Sequence, residues 1–100
     1  MRLSELQGDI LSTLAAFESL GHKDKVPAKV ILNLINTDRE SRDKAKIFGA
    51  ALRKSLKTMH SNKLVRKFKS MENGELSFLL TEEGRAIGIE CMVKKQLQDS

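Results

Sequence analysis

The sequence predicts a mainly α domain with a small β-hairpin, and three observations carry that expectation. Apolar residues recur at three- and four-residue steps in four separate stretches. An Asn73-Gly74 pair stands between two short strand-like runs, and the basic residues are gathered in one part of the chain. From Arg39 to Lys69 there are eleven Lys or Arg against two acids, Glu40 and Asp43, a net of +9 in 31 residues. The other 69 residues carry a net of −4, so the overall +5 is a difference between a basic segment and an acidic remainder. Such segregation makes one cationic surface, and a cationic surface attracts polyanions.

The 100 residues suit a single domain with one modest core, and a hydrophobic fraction of 40% at regular spacing argues for a folded chain rather than a disordered one. All four aromatics are Phe, so a stacking platform for single-stranded nucleic acid lacks its usual parts. Cys91 is the only cysteine, which excludes an intrachain disulfide and a thiolate zinc cluster; in a predicted helix it reads as a small buried hydrophobe. No signal peptide and no 18-residue apolar run is present, so the expectation is a soluble cytoplasmic protein with no membrane partner.

The first predicted helix, 3–20, carries Leu3, Leu6, Ile10, Leu14 and Phe17 on one stripe, which Leu11, Ala15 and Leu20 widen beyond what one neighbour covers; Gly21 ends it. Val26 adds a short edge strand. Pro27 then opens a second helix, 27–36, with Val30, Ile31, Leu34 and Ile35 inward, and Asn36, Thr37 and Asp38 break it. The third helix is expected over 42–60 with Ser41 as its N-cap. Ala45, Phe48, Leu52, Leu56 and Met59 fall on one side, and Asp43, Lys46, Ala50, Lys54 and Lys57 on the other, with Arg42 and Arg53 on the flank.

After the polar break Ser61-Asn62-Lys63, wing strands are expected over 64–70 and 75–80, joined by a tight Asn73-Gly74 turn in which both residues accept positive φ. Leu76, Phe78 and Leu80 alternate inward. Thr81 caps the fourth helix, 82–97, and Glu82 and Glu83 suit the positive end of its dipole. In that helix Ala86, Ile89, Val93 and Leu97 define one stripe while Ile87, Cys91 and Met92 fall outside it.

Leu52 to Gly84, and most sharply LVRKFKSMENGELSFLLTEEGRAI, resembles the winged helix-turn-helix of the MarR and PadR families of bacterial and archaeal transcription regulators. The matching features are a helix end, a polar break, "LV" plus bases, an Asn-Gly wing tip and a strand closing in LLTEEGR. The resemblance implies a three-helix core, a two-stranded wing and a C-terminal helix, with helix 3 in a major groove and the wing over an adjacent backbone or minor groove. Carried over, it puts Arg42, Lys46, Ala50 and Arg53 near base edges, Lys54 and Lys57 near phosphates, and Lys67, Lys69 and Asn73 on the wing. The link over 36–43 is longer and more charged than a strict helix-turn-helix allows.

The physics of duplex DNA points the same way: a major groove about 12 Å wide admits one helix, and only its outward side chains reach base edges. Arg reads guanine through two bonds, Lys holds phosphate, and a small residue such as Ala50 can touch a thymine methyl. The surplus apolar residues Leu3, Leu11, Ala15, Ile87, Cys91 and Met92 suggest a homodimer through the terminal helices, as in the resembling families, with two reading helices about one turn of DNA apart. The expected function is therefore a sequence-preferring double-stranded DNA-binding regulator, a repressor by occupancy, associated with the nucleoid.

Catalysis and cofactors find no support. His22 and His60 lack partners at ligand spacing, the neighbours Glu82 and Glu83 point about 100° apart on a helix, and no Ser has a nearby His. A winged-helix protein-interaction module meeting an acidic partner, or a binder of structured RNA, is the alternative. Binding to random duplex at low salt separates the first of these, and competition between duplex DNA and RNA the second.

Overall fold

The computed structural model describes residues 2–99. Its elements run α1 (Glu5–Ser19), β1 (Val26–Pro27), α2 (Ala28–Ser41), α3 (Gly49–Ser61), β2 (Val65–Lys69), β3 (Leu76–Leu80) and α4 (Glu82–Asp99). The three strands form an antiparallel sheet in the order β1-β3-β2. Val26 is thus a strand as expected, and Pro27 sits at the sheet edge, where its missing N–H leaves no gap in the ladder. Ile10, Leu11, Leu14, Ile31, Ile35, Leu52, Leu56, Met59, Leu64, Val65, Phe78 and Leu80 meet in one buried cluster drawn from every helix but the last and from β2 and β3.

α1 opens on a reciprocal cap: Gln7 N–H donates to Ser4 Oγ at 3.1 Å, and Ser4 N–H donates back to the Gln7 side chain at 3.4 Å. α1, α2 and α3 all close the same way. The amide two residues past the C-cap reaches the carbonyl three residues before the C-cap: His22 to Phe17 at 3.1 Å, Lys44 to Arg39 at 2.8 Å, and Leu64 to Met59 at 2.9 Å. The residue between must turn left-handed. Gly21 does so freely at φ 98°, but Asp43 and Lys63 do so with a side chain at φ 57° and 61°.

α4 lies antiparallel on α1, and small residues let the two backbones approach. A Cβ at Gly88 would stand 2.7 Å from the Leu11 carbonyl oxygen and 3.2 Å from Ala15 Cβ. At the start of α4 the approach is closer still: a Cβ on Gly84 would overlap the Leu64 carbonyl oxygen. Thr81 builds that corner. Its hydroxyl donates to the Lys63 carbonyl at 2.7 Å and accepts from Gly84 N–H at 3.0 Å, while its own N–H bonds the Leu64 carbonyl at 3.1 Å. Arg85 then reaches Glu18 at 2.6 Å, fixing the far end of α1, and that partner holds its guanidinium pKa above the ordinary value.

Four expectations are corrected. α2 does not break at Asn36 but continues to Ser41, and α3 begins at Gly49 rather than near residue 42, so Ser41 ends one helix instead of capping the next. Two of the polar trio have their side chains bonded away from their own turn: Asn36 clamps the Ile47 backbone through both amide atoms, at 2.9 and 3.0 Å, and Asp38 meets Arg42 and Lys95. Phe48 matched the inward period of α3, yet it lies before the helix and is 76% exposed. The hairpin loop holds four residues, 71–74, between Ser70 and Glu75, whose N–H and carbonyl pair at 2.9 Å; of Asn73 and Gly74 only Gly74 has positive φ, 71°.

The stripe assignment on α4 is also reversed. Gly84 and Gly88 are buried and Ile87, Cys91 and Met92 half-buried, whereas Ile89, Val93 and Leu97 are exposed to 46%, 45% and 70%. Leu11 and Ala15 are buried within the chain under Gly88, so they offer nothing to a second copy.

Candidate nucleic-acid interface

α3 turns Leu52, Leu56 and Met59 into the core at steps of four and three, which leaves Ala50, Arg53, Lys54 and Lys57 in water. β2 contributes through strand alternation. Val65, Lys67 and Lys69 share one face and oppose Leu80, Phe78 and Leu76 of β3. Because that face is the one packed toward the helices, the two lysines beyond the buried Val65 emerge beside α3. Arg53, Lys57 and Lys67 accordingly line one groove of about 470 Å³, with Gly74 of the wing tip and an apolar floor of Ala28, Leu56, Leu76 and Phe78. Lys69 stands against the same tip, 3.7 Å from where a Gly74 Cβ would be.

Asn73 is exposed at the tip, but its side chain is partly used inside the loop, where its carbonyl oxygen accepts from Glu75 N–H at 2.9 Å. Lys29, in the first turn of α2, was not foreseen. It lines a second groove with Arg53, Gly49 and Glu75, and its ammonium lies 3.4 Å from Glu75. A base in the first turn of the helix before α3 was the signal that could have found it.

Two of the expected base-reading residues lie off α3. Arg42 sits at the end of α2, 3.2 Å from Asp38, and lines a groove with Leu20, Leu34, Met92 and Lys95 on the α1–α4 side. Lys46 is exposed in the link before α3, beside Asn36, Glu40 and Asp43. The reason is the left-handed turn at Asp43, which stops the helical path and leaves 44–48 as an irregular link before α3.

That link is held by charges. Arg39, on α2, lies 3.3 Å from the buried Asp9 and 3.8 Å from Glu5 of α1, and donates to the Ala45 carbonyl at 2.6 Å. Lys44 reaches Glu5 at 2.9 Å, and Lys95 of α4 reaches Asp9 at 2.8 Å and Asp38 at 3.4 Å. For Asp38, burial works against ionisation, but the bonds from Arg42 and the charge of Lys95 outweigh it and hold the carboxyl below its ordinary 3.8. Glu5 is likewise held below the usual range by Lys44 and Arg39. Cys91 is half-buried near Gly8, and that burial pushes its thiol up. His22 stacks on Phe17, ring centroids 4.5 Å apart. Among the described residues no three of His, Cys, Asp and Glu gather into a metal-binding group, and no helix is long and apolar enough to cross a membrane.

Three core helices, a β-hairpin whose tip stands beside the third, and a helix returning over the first make a winged helix. The solved structures that share it include transcription regulators. In sequence the chain matches no family model and no curated protein. In structure it is similar to the adhesin competence repressor of Streptococcus pyogenes, with a TM-score of 0.71 at 18% identity, covering 97% of this chain and 59% of that one. A zinc-responsive MarR family member of Lactococcus lactis, ZitR, gives 0.67 at 20% identity over 99% of this chain and 59% of its own. AF1382 of Archaeoglobus fulgidus gives 0.70 at 16% identity over 98% and 92%. The chain thus spans 59% of the length of the first two and nearly all of the third. At these identities the likeness is one of fold, the winged helix.

Proposed function

We propose that this chain is a double-stranded DNA-binding transcription regulator, acting as a homodimer that occupies its site and so represses. The observation that carries the proposal is the groove in which Arg53 and Lys57 of α3 meet Lys67 of the wing. Cations from two elements converge there at the rim of the core, with their side chains in water. In this reading α3 enters the major groove with Ala50 and Arg53 at base edges and Lys54 and Lys57 at phosphates. Lys67, Lys69 and Asn73 lie over the adjacent backbone or minor groove, and Lys46 and Lys29 add phosphate contacts. Arg42, paired with Asp38, takes no part.

The dimer contact we place on the exposed stripe of α4, Ile89, Val93 and Leu97, and not on Leu3, Ile87 and Cys91, which pack inside the chain. Apolar side chains left in water at the spacing of one helix face are the surface a matching helix would cover. Of the solved structures that share this fold, one is named a repressor and another a MarR family member, which supports the same reading. Selection of bound duplexes from a random pool tests it. An enriched inverted repeat with half-sites about one helical turn apart is the expected result. Failure to retain any duplex at micromolar protein and low salt would overturn it.

A further inference from the structure

Phe48 is 76% exposed, at the N-cap of α3, in extended backbone with no side-chain cap. That display is disfavoured twice, since an aromatic ring forgoes burial and the position prefers Ser, Thr, Asn or Asp. Nor is the ring on a slack loop. One residue earlier, Ile47 packs on the core, and its N–H and carbonyl are both held by the Asn36 side chain, at 2.9 and 3.0 Å. One residue later, Gly49 lines a groove with Arg53, and a Cβ there would stand 3.6 Å from the Arg53 guanidinium. Ala50 and Ala51 follow, both exposed, and no acid stands in the first turn.

The leading end of α3 therefore presents a ring and two methyl groups, with no hydrogen-bonding side chain, next to an arginine and two residues after Lys46. The base edges of a major groove offer such a surface one apolar feature, the C5 methyl of thymine. We infer that Phe48, with Ala50 and Ala51 beside it, is a specificity-determining residue that reads pyrimidine C5 methyl groups, while Arg53 behind it reads hydrogen-bond acceptors. The inference rests on the DNA-binding reading above and adds what the leading end of α3 selects. The Asn36 clamp gives it rigidity: the ring is held out before the partner arrives, so little freedom is lost on contact.

Duplexes of alternating dA and dT, compared with alternating dA and dU, isolate the methyl group, because the two present the same hydrogen-bonding edges. The full chain should bind the thymine duplex about fourfold more tightly for each methyl covered. Alternating dG and 5-methyl-dC should likewise bind better than alternating dG and dC. Phe48→Ala should remove most of both preferences and leave the salt dependence unchanged, since no charge is lost. Phe48→Leu, which stays apolar, should keep part of them. Equal affinity of the unaltered chain for the thymine and uracil duplexes, or a full preference surviving in Phe48→Ala, overturns the inference while DNA binding stands. No binding to any of the four duplexes at low salt overturns the reading on which it rests.

Discussion

α3 and α4 solve opposite problems with the same helix. α3 hides its large apolar side chains, Leu52, Leu56 and Met59, and displays cations. α4 hides its smallest residues, Gly84 and Gly88, and displays Ile89, Val93 and Leu97. Hydrophobic period finds the inner face of a helix whose side chains fill a core. It points to the wrong face of a helix that packs by close backbone approach, where the absence of a side chain is what fits. The difference also separates what the two helices can offer, a charged surface on one and an apolar surface on the other.

Breaking the close approach gives the largest expected effect. Gly84→Ala drives a methyl group into the Leu64 carbonyl, with backbone on both sides and no flexible side chain to move, and should destabilise the fold by about 3 kcal/mol. Urea denaturation measures it; a loss under about 1 kcal/mol would mean α4 does not seat as described. On the displayed face the outcome is different in kind. Val93→Glu should leave the unfolding free energy of the single chain within about 0.5 kcal/mol but convert a dimer to monomers in sedimentation equilibrium, because it puts a carboxylate where two apolar stripes would meet.

The charges that fasten α4 to α2 give a third, pH-dependent effect. Asp38 titrates below its ordinary 3.8 in the folded chain, so the stability it contributes is present above that value and is lost as pH falls through the lowered one. Asp38→Asn should therefore cost stability at pH 6 and progressively less below pH about 4, read as converging thermal midpoints. Smallest of all is the gain at the end of α3. Lys63 holds φ at 61°, a conformation Gly adopts without strain, and Lys63→Gly should stabilise by about 0.5–1 kcal/mol, the relief of strain exceeding the added freedom of the unfolded chain.

Much of this molecule is legible in its sequence, for identifiable reasons. The helical periods of α1 and of α3 after Gly49, the Gly21 stop, the Val26 edge strand and the Thr81 cap each follow from local chemistry, and all are present. The i, i+2 spacing of Lys67 and Lys69 also put them on one strand face. What stays hidden depends on distant partners. Asn36 reads as a breaker until Ile47 is seen in its grip, eleven residues on. Asp43 and Lys63 carry no glycine signal for the left-handed turns they make. Phe48 continues the period of α3 in the sequence although the chain has already left the core. The ion pairs of Asp9 with Arg39 and Lys95 join three helices, and no spacing rule announces them.

If the outer face of α3 and the wing contact one polyanion together, a cation removed from either should lower the same salt dependence. The direct measurement is the salt dependence of affinity for a random duplex between about 50 and 200 mM, for the unaltered chain and for Lys57→Ala, Lys67→Ala and the double variant. Each substitution should make the log–log slope shallower by about one unit and the pair by about two. Slopes left unchanged by the loss of either lysine would place the duplex elsewhere on the molecule.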